Sequence, residues 1–214
     1  MKTTDAFSEQ RKKMVESQII RRGIKDMRVL EAMNTVPRHE FVDQNLRDSA
    51  YGDHPLSIGY EQTISQPYIV ALMTELLGLR GHERVLEIGT GCGYQTAVLS
   101  HLCKEVFTVE IVEQLANSAE ERLLRLGYKN IYVLYGDGYY GDAGDGPFEG
   151  IIISAAPKKV PPPLLEQLAE GGRIVLPVGT ANQSLKIIEK TGKGIKESTS
   201  IAVRFVPMTG RAEN

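Results

Sequence analysis

The chain has 214 residues, 42% of them hydrophobic and 24% charged, an ordinary balance for a soluble α/β chain with a substantial core. A formal net charge of −2 excludes a global basic field that would recruit nucleic acid or anionic lipid. The two cysteines, Cys92 and Cys103, show neither metal-ligand spacing nor a disulfide framework, and fit a reducing compartment. No stretch is apolar for long enough to span a bilayer, and MKTTDAFSEQRKKM at the start has no leader-like apolar run. The expectation is a cytoplasmic monomer with no membrane, nucleic-acid or metal partner.

Residues 1–50 read as a small helical preface. Over residues 8–22, Met14, Val15, Ile19 and Ile20 make a narrow apolar stripe, with Lys12, Lys13, Arg21 and Arg22 on a solvated face. Gly23 stops this helix, and Asp26 caps a second in which Val29, Leu30 and Met33 share a face until Pro37. Residues 51–67, YGDHPLSIGYEQTISQP, are a loop by composition, anchored by Tyr51, Leu56, Ile58, Tyr60 and Ile64. A connection of that length without regular structure is usually functional. Ile69, Val70, Met73, Leu76 and Leu77 then have helical spacing up to Gly78. Ser65, just ahead of this helix, is either an N-cap or a hydroxyl placed beside free backbone N–H groups to hold a carboxylate. Spacing leaves both open.

Residues 68–214 read as an α/β core that begins with VLEIGTGCG (85–93), a short buried strand followed by glycines at every second position. The dinucleotide fingerprint G-x-G-x-x-G fails, because Tyr94 stands where its third glycine belongs. The pattern E-x-G-x-G-x-G, with Glu87 in the strand, instead resembles that of S-adenosylmethionine-dependent methyltransferases, and an acid there suits the cationic end of that cofactor. Glu105–Glu110 is the next strand, ending in Glu110, 19 residues after Gly91, where an acid reaches ribose hydroxyls in nucleoside-binding sheets. Leu115, Ala119, Leu123 and Leu126 stripe a helix closed by Gly127. Ile131–Tyr135 is a third strand running into Gly136-Asp137-Gly138, where methyltransferases of this class place an acid at the adenine amino group. Phe148–Ala156 is a fourth strand, whose end, Ser154-Ala155-Ala156-Pro157, stands in place of the Asn/Asp-Pro-Pro-aromatic motif of base-methylating enzymes. Leu164, Leu165 and Leu168 suggest a short helix, residues 171–179 a fifth strand, and Leu185–Glu189 and Ile201–Val206 two more around a turn at Thr191–Gly194. The histidines His39, His54, His82 and His101 are scattered, each read as a surface or loop residue, with His54 alone in the unusual loop.

From VPRHEFV (36–42) through PLSIGYEQTISQP (55–67) and VLEIGTGCGYQT (85–96) to VRFVPM (203–208), the chain resembles the protein-L-isoaspartate O-methyltransferases, which act on isomerised aspartyl and deamidated asparaginyl residues. The resemblance implies a single Rossmann-like domain over residues 1–214, with a seven-stranded, mostly parallel, doubly wound sheet whose last two strands are exchanged relative to other methyltransferases. It implies S-adenosyl-L-methionine as methyl donor, S-adenosyl-L-homocysteine as product, and isoaspartyl proteins and peptides as partners. Ser65 matches the family's active-site serine. The cofactor positions map onto Ile64, Ser65, Glu87, Gly89, Gly91, Glu110, Asp137 and Gly138, and the substrate positions onto Thr63, Ser65 and Ala155. Some relatives have a cofactor-contacting histidine where this chain has Val70. Two alternatives stay open: a same-fold methyltransferase for a small molecule or nucleic acid, and a nucleoside-binding or NAD-dependent protein.

Overall fold

The computed structural model describes residues 7–213, so the first six residues of the preface lie outside it. Seven strands form the central sheet: β3 (Arg84–Ile88), β4 (Glu105–Glu110), β5 (Ile131–Tyr135), β6 (Phe148–Ile153), β7 (Leu168–Gly179), β8 (Gln183–Thr191) and β9 (Gly194–Val203). Their order is β5-β4-β3-β6-β7-β8-β9, and only β8 runs against the others. The last two strands therefore lie side by side in chain order. The chain reverses direction away from β3 at its β6 side, the switch point where open α/β sheets bind ligands.

Alternation along the strands splits the core into two layers. Val85, Val106, Ile152 and Val175 face one side, where they join α3 (Pro67–Leu77), α4 (Tyr94–Ser100) and the preface. Leu86, Phe107, Ile151 and Ile174 face the other, with Leu164 of α6 (Pro162–Glu166). Strands apolar on both faces are what a parallel sheet covered on both sides requires. α5 (Glu113–Arg125) packs beside β4 and β5 through Leu115, Ala119 and Leu123.

Several expectations shift. In the preface, α1 (Ser8–Met14) continues as a π turn over Val15–Ile19 and a tight turn over Ile20–Arg22. The wider turn moves the stripe out of phase, so Met14, Val15 and Ile19 are buried while Ile20 is exposed. Asp26 caps α2 (Met27–Thr35) by accepting from Arg28 N at 2.9 Å, as its position suggests. The 51–67 segment is not irregular: β1 (Leu56–Gly59) and β2 (Gln62–Ile64) form an antiparallel hairpin. Its tip, Tyr60-Glu61, has φ of 51° and 58° and lacks the glycine or asparagine that announces such a turn. The final strand ends at Val203 instead of running to Val206, and its polar face toward solvent (KESTS, 196–200) hid it from a search for apolar residues. His39 is buried, not on the surface; it stacks on Phe7 and shares a 2.8 Å hydrogen bond with the Tyr51 hydroxyl.

Ile151 on β6 is 0% exposed at the centre of the second layer. Ile151→Ala is expected to cost about 2–5 kcal/mol of stability, read from urea unfolding, because the close-packed sheet collapses little into the void.

Candidate active site

Strands β3 and β4 run parallel in register and end together, and backbone bonds hold the turn between β3 and α4 against them. Gly89 N donates to Val109 O at 2.8 Å, and Ser154 N donates to Ile88 O at 2.8 Å. Gly89 takes φ +92°, a left-handed conformation that L side chains resist. Gly91 N donates to Glu110 Oε2 at 2.8 Å, while Glu110 Oε1 accepts from Val112 N at 3.0 Å. The carboxylate thereby fastens the glycine turn to the end of β4 and still has lone pairs facing the cavity.

That cavity, about 820 Å³ including its open mouth, is lined by Ile64, Ser65, Gly89, Gly91, Glu110 and Gly138, and by Thr63 and Ala155. Eight of the expected site residues thus converge on one space. Gly138 is required by close approach: a Cβ there would lie 2.3 Å from Ile88 Cγ2. Glu87 and Asp137 are not on the wall. Asp137 accepts from Tyr139 N (2.9 Å) and Arg211 N (2.8 Å), tying the turn after β5 to the C-terminal segment. Glu87 is fully buried behind the glycine turn, its Oε2 accepting from Thr96 (2.5 Å) and Thr108 (2.8 Å) while Oε1 has no partner. Burial pushes its carboxyl up to about 8, against the pull of the two threonine hydroxyls and with a small push from Glu110. Its carboxyl therefore holds a proton far more readily than an exposed glutamate does, and it supports the glycine turn from behind instead of forming the cavity wall.

Ser65 is not the N-cap of α3. Gln66 occupies that position, with Pro67 as the first helical residue. Among the described residues the Ser65 hydroxyl has no hydrogen-bond partner, and Ser65 lies on the wall of the cavity. It also borders a second groove, about 1360 Å³ including open space, lined by Pro55, Ile69, Ser154 and residues 202–206. Val70 also lines the first cavity, so its apolar side chain stands at that wall. His54 and Glu61 line neither space.

Sequence reasoning missed Thr90, Ser154 and the 206–209 segment as cavity walls. The last is brought back by Ala156 N donating to Val206 O (2.8 Å) and Met208 N to Ala156 O (2.9 Å). The VRFVPM string was visible, but its return across the end of β6 depends on tertiary structure.

Among the described residues, none lining the first cavity is lysine, arginine or histidine, and Glu110 is the one carboxylate on its wall. A nucleoside carrying positive charge fits such a wall better than a diphosphate does. With the sheet order and the glycine turn, this defines a Rossmann-like, S-adenosylmethionine-dependent methyltransferase. Residues 9–213 match the family model "Protein-L-isoaspartate(D-aspartate) O-methyltransferase (PCMT)". The chain belongs to that family. It is 53% identical to a protein-L-isoaspartate O-methyltransferase of Picosynechococcus sp. (94% of this chain, 91% of the relative). It is also 53% identical to protein-L-isoaspartate O-methyltransferase 1 of Syntrophobacter fumaroxidans (96% of each). A solved protein-L-isoaspartate O-methyltransferase superposes with a TM-score of 0.87 at 30% identity, covering 94% of this chain and 67% of that one. A Plasmodium falciparum structure described as the same class, in complex with S-adenosyl-L-homocysteine, gives 0.79 at 26% identity over 93% of this chain and 98% of that one.

Two outcomes follow from the carboxylates. Glu110→Ala removes an acceptor on the cavity wall together with the tether of Gly91, and is expected to weaken S-adenosylmethionine binding by about 1.5–3 kcal/mol in calorimetry. Glu87 holds a proton in the folded state that the unfolded chain releases, so its contribution makes stability fall as pH rises from about 4.5 toward about 8. Glu87→Gln lacks this titration, and its stability relative to the parent is expected to rise between pH 5 and pH 8 in urea unfolding.

Proposed function

We propose that this site methylates the free α-carboxylate of L-isoaspartyl residues in proteins and peptides, with Ser65 as the residue that holds the reacting anion. The observation that carries the reading is the position of Ser65, which lines both the first cavity and the larger groove. Thr63, Ser154 and Val206 border both spaces as well, so a group bound in the groove can reach into the cavity.

An isoaspartyl residue leaves its α-carboxyl free, and with an ordinary pKa of about 3.3–3.7 that group is an anion at neutral pH. No general base is needed, which agrees with a wall free of histidine and lysine. Bound S-adenosylmethionine supplies an electrophilic methyl group on a positively charged sulfur. The chain's own task is to position and dehydrate. The Ser65 hydroxyl donates a hydrogen bond to one carboxylate oxygen. Thr63 and Ala155 bracket the same point, while Ile64 and Val70 give it apolar sides. The β1–β2 hairpin covers it, with Glu61 outside, where its charge does not oppose the incoming anion. Ile64, Ser65, Gly89, Gly91, Glu110 and Gly138 would hold the cofactor, with Glu87 and Asp137 supporting the turns from behind. The ester product leaves to form a succinimide: the neighbouring backbone nitrogen attacks the ester carbonyl, its proton and the methoxy group depart as methanol, and the step needs no help from the protein. The open groove beside Ser65 leaves room for the chain that flanks an isoaspartyl residue.

Ser65→Ala is expected to lower single-turnover methylation of an isoaspartyl peptide roughly tenfold to a hundredfold, with cofactor affinity nearly unchanged. The loss comes from the orientation of the attacking oxygen, which the hydroxyl holds in line, and is smaller than for a donor to a developing oxyanion because the carboxylate loses charge as it reacts. An aspartyl twin of the peptide serves as the negative control. An unchanged rate in the folded variant assigns the anion to another donor.

A further inference from the structure

The VPRHEFV string carries a group that the chemistry above leaves unused. Arg38 lies in the short turn Arg38–Phe41 and is 0% exposed. Its Nε donates to Ala50 O at 2.7 Å, its Nη2 donates to Ser65 O at 2.8 Å, and its guanidinium lies 4.8 Å from the centroid of the Tyr94 ring. Among the described residues Nη1 has no partner in hydrogen-bonding geometry, although the Tyr94 side chain lies beside the guanidinium and favours its charge. Arginine stays charged in proteins, and a buried charge is costly unless paired. Yet among the described residues no carboxylate pairs with it. Glu40, two positions on, is committed to Arg47 and Arg125. The titratable groups that face the guanidinium are Tyr94, Cys92 and Tyr51. Burial raises the pKa values of the Tyr94 phenol and the Cys92 thiol, so neither supplies an anion at neutral pH.

We propose that Arg38 is a positioning residue for the substrate carboxylate: it grips the Ser65 peptide from behind and keeps an unneutralised positive charge under the place where the anion docks. This rests on the reading of Ser65 as the anion's anchor. Two carbonyls could be satisfied by a neutral amide side chain. A full buried charge gains its counterpart only when a carboxylate arrives at Ser65. Because that carboxylate becomes neutral on methylation, the guanidinium favours the bound substrate more than the transition state, and its effect belongs in KM.

The test compares Arg38→Met and Arg38→Lys with the parent, using an isoaspartyl peptide with no other group titrating between pH 7 and 10. Unfolding curves and cofactor calorimetry first establish that each variant is folded and loaded. A parent without activity on this peptide would sink the functional reading itself, whatever Arg38 does. With an active parent, Arg38→Met is expected to raise peptide KM about tenfold or more, with kcat within about threefold. Arg38→Lys keeps a charge that can be titrated, because burial lowers a lysine pKa. Its KM is expected to climb toward the Met value as pH rises, while the parent stays flat. Parental KM in folded Arg38→Met overturns the proposal, as does a pH-independent KM in Arg38→Lys. If Arg38→Met does not fold, the lysine pH profile decides alone.

Discussion

The site depends on two hydrogen bonds at the ends of β3 and β4. Gly89 N on Val109 O and Gly91 N on the Glu110 carboxylate, both at 2.8 Å, lock a turn of left-handed glycines to the neighbouring strand. Parallel pairing makes this possible, since only parallel strands end on the same side of a sheet. The cavity is the space that those two strand ends, the end of β6 and the turn after β5 leave between them. Everything that adjusts chemistry there arrives from outside the sheet: the hairpin, the start of α3 and the returning C-terminal segment.

Buried polar groups around this frame carry opposite solutions to one problem. Glu87 is desolvated and has two hydroxyl donors on one oxygen, so it takes up a proton and becomes a neutral bracket between β3, β4 and α4. Arg38 cannot neutralise itself and instead spends its donors on carbonyls. One group fixes the cofactor turn from beneath, and the other fixes the hairpin's exit. The preface is joined to the site through such contacts: Arg38 reaches Ser65, Phe41 packs edge-on against Tyr94, and Gln18 Nε2 donates to Tyr51 O.

The hairpin stores a local cost. Tyr60 and Glu61 both hold positive φ without being glycine, a conformation that persists only when its surroundings enforce it. Leu56 paired with Ile64, and Ile58 against the glycine turn, supply that enforcement. The less favourable turn at the tip is thus held in place by contacts on both strands, and Ser65 follows directly after the second strand.

The sequence by itself determined the elements whose signals are local. Glu105–Glu110 and Ile131–Tyr135 are the observed strands residue for residue, because β-branched and aromatic runs bounded by polar turns leave no competing register. The glycine spacing, the missing third glycine at Tyr94 and the acid at Glu110 were legible in the sequence, and Gly89, Gly91, Tyr94 and Glu110 line the cavity. Tertiary structure alone decided what depends on partners distant in the chain. Pro67 at the first helical position moved the cap from Ser65 to Gln66, and pairing with β1 turned an apparent loop into a hairpin. A solvent-facing edge strand has no apolar alternation to announce it, so β9 was misplaced. Burial of Arg38 and protonation of Glu87 were invisible for the same reason: residue type predicts a charge on the surface, and only the fold removes the water that would have kept it there.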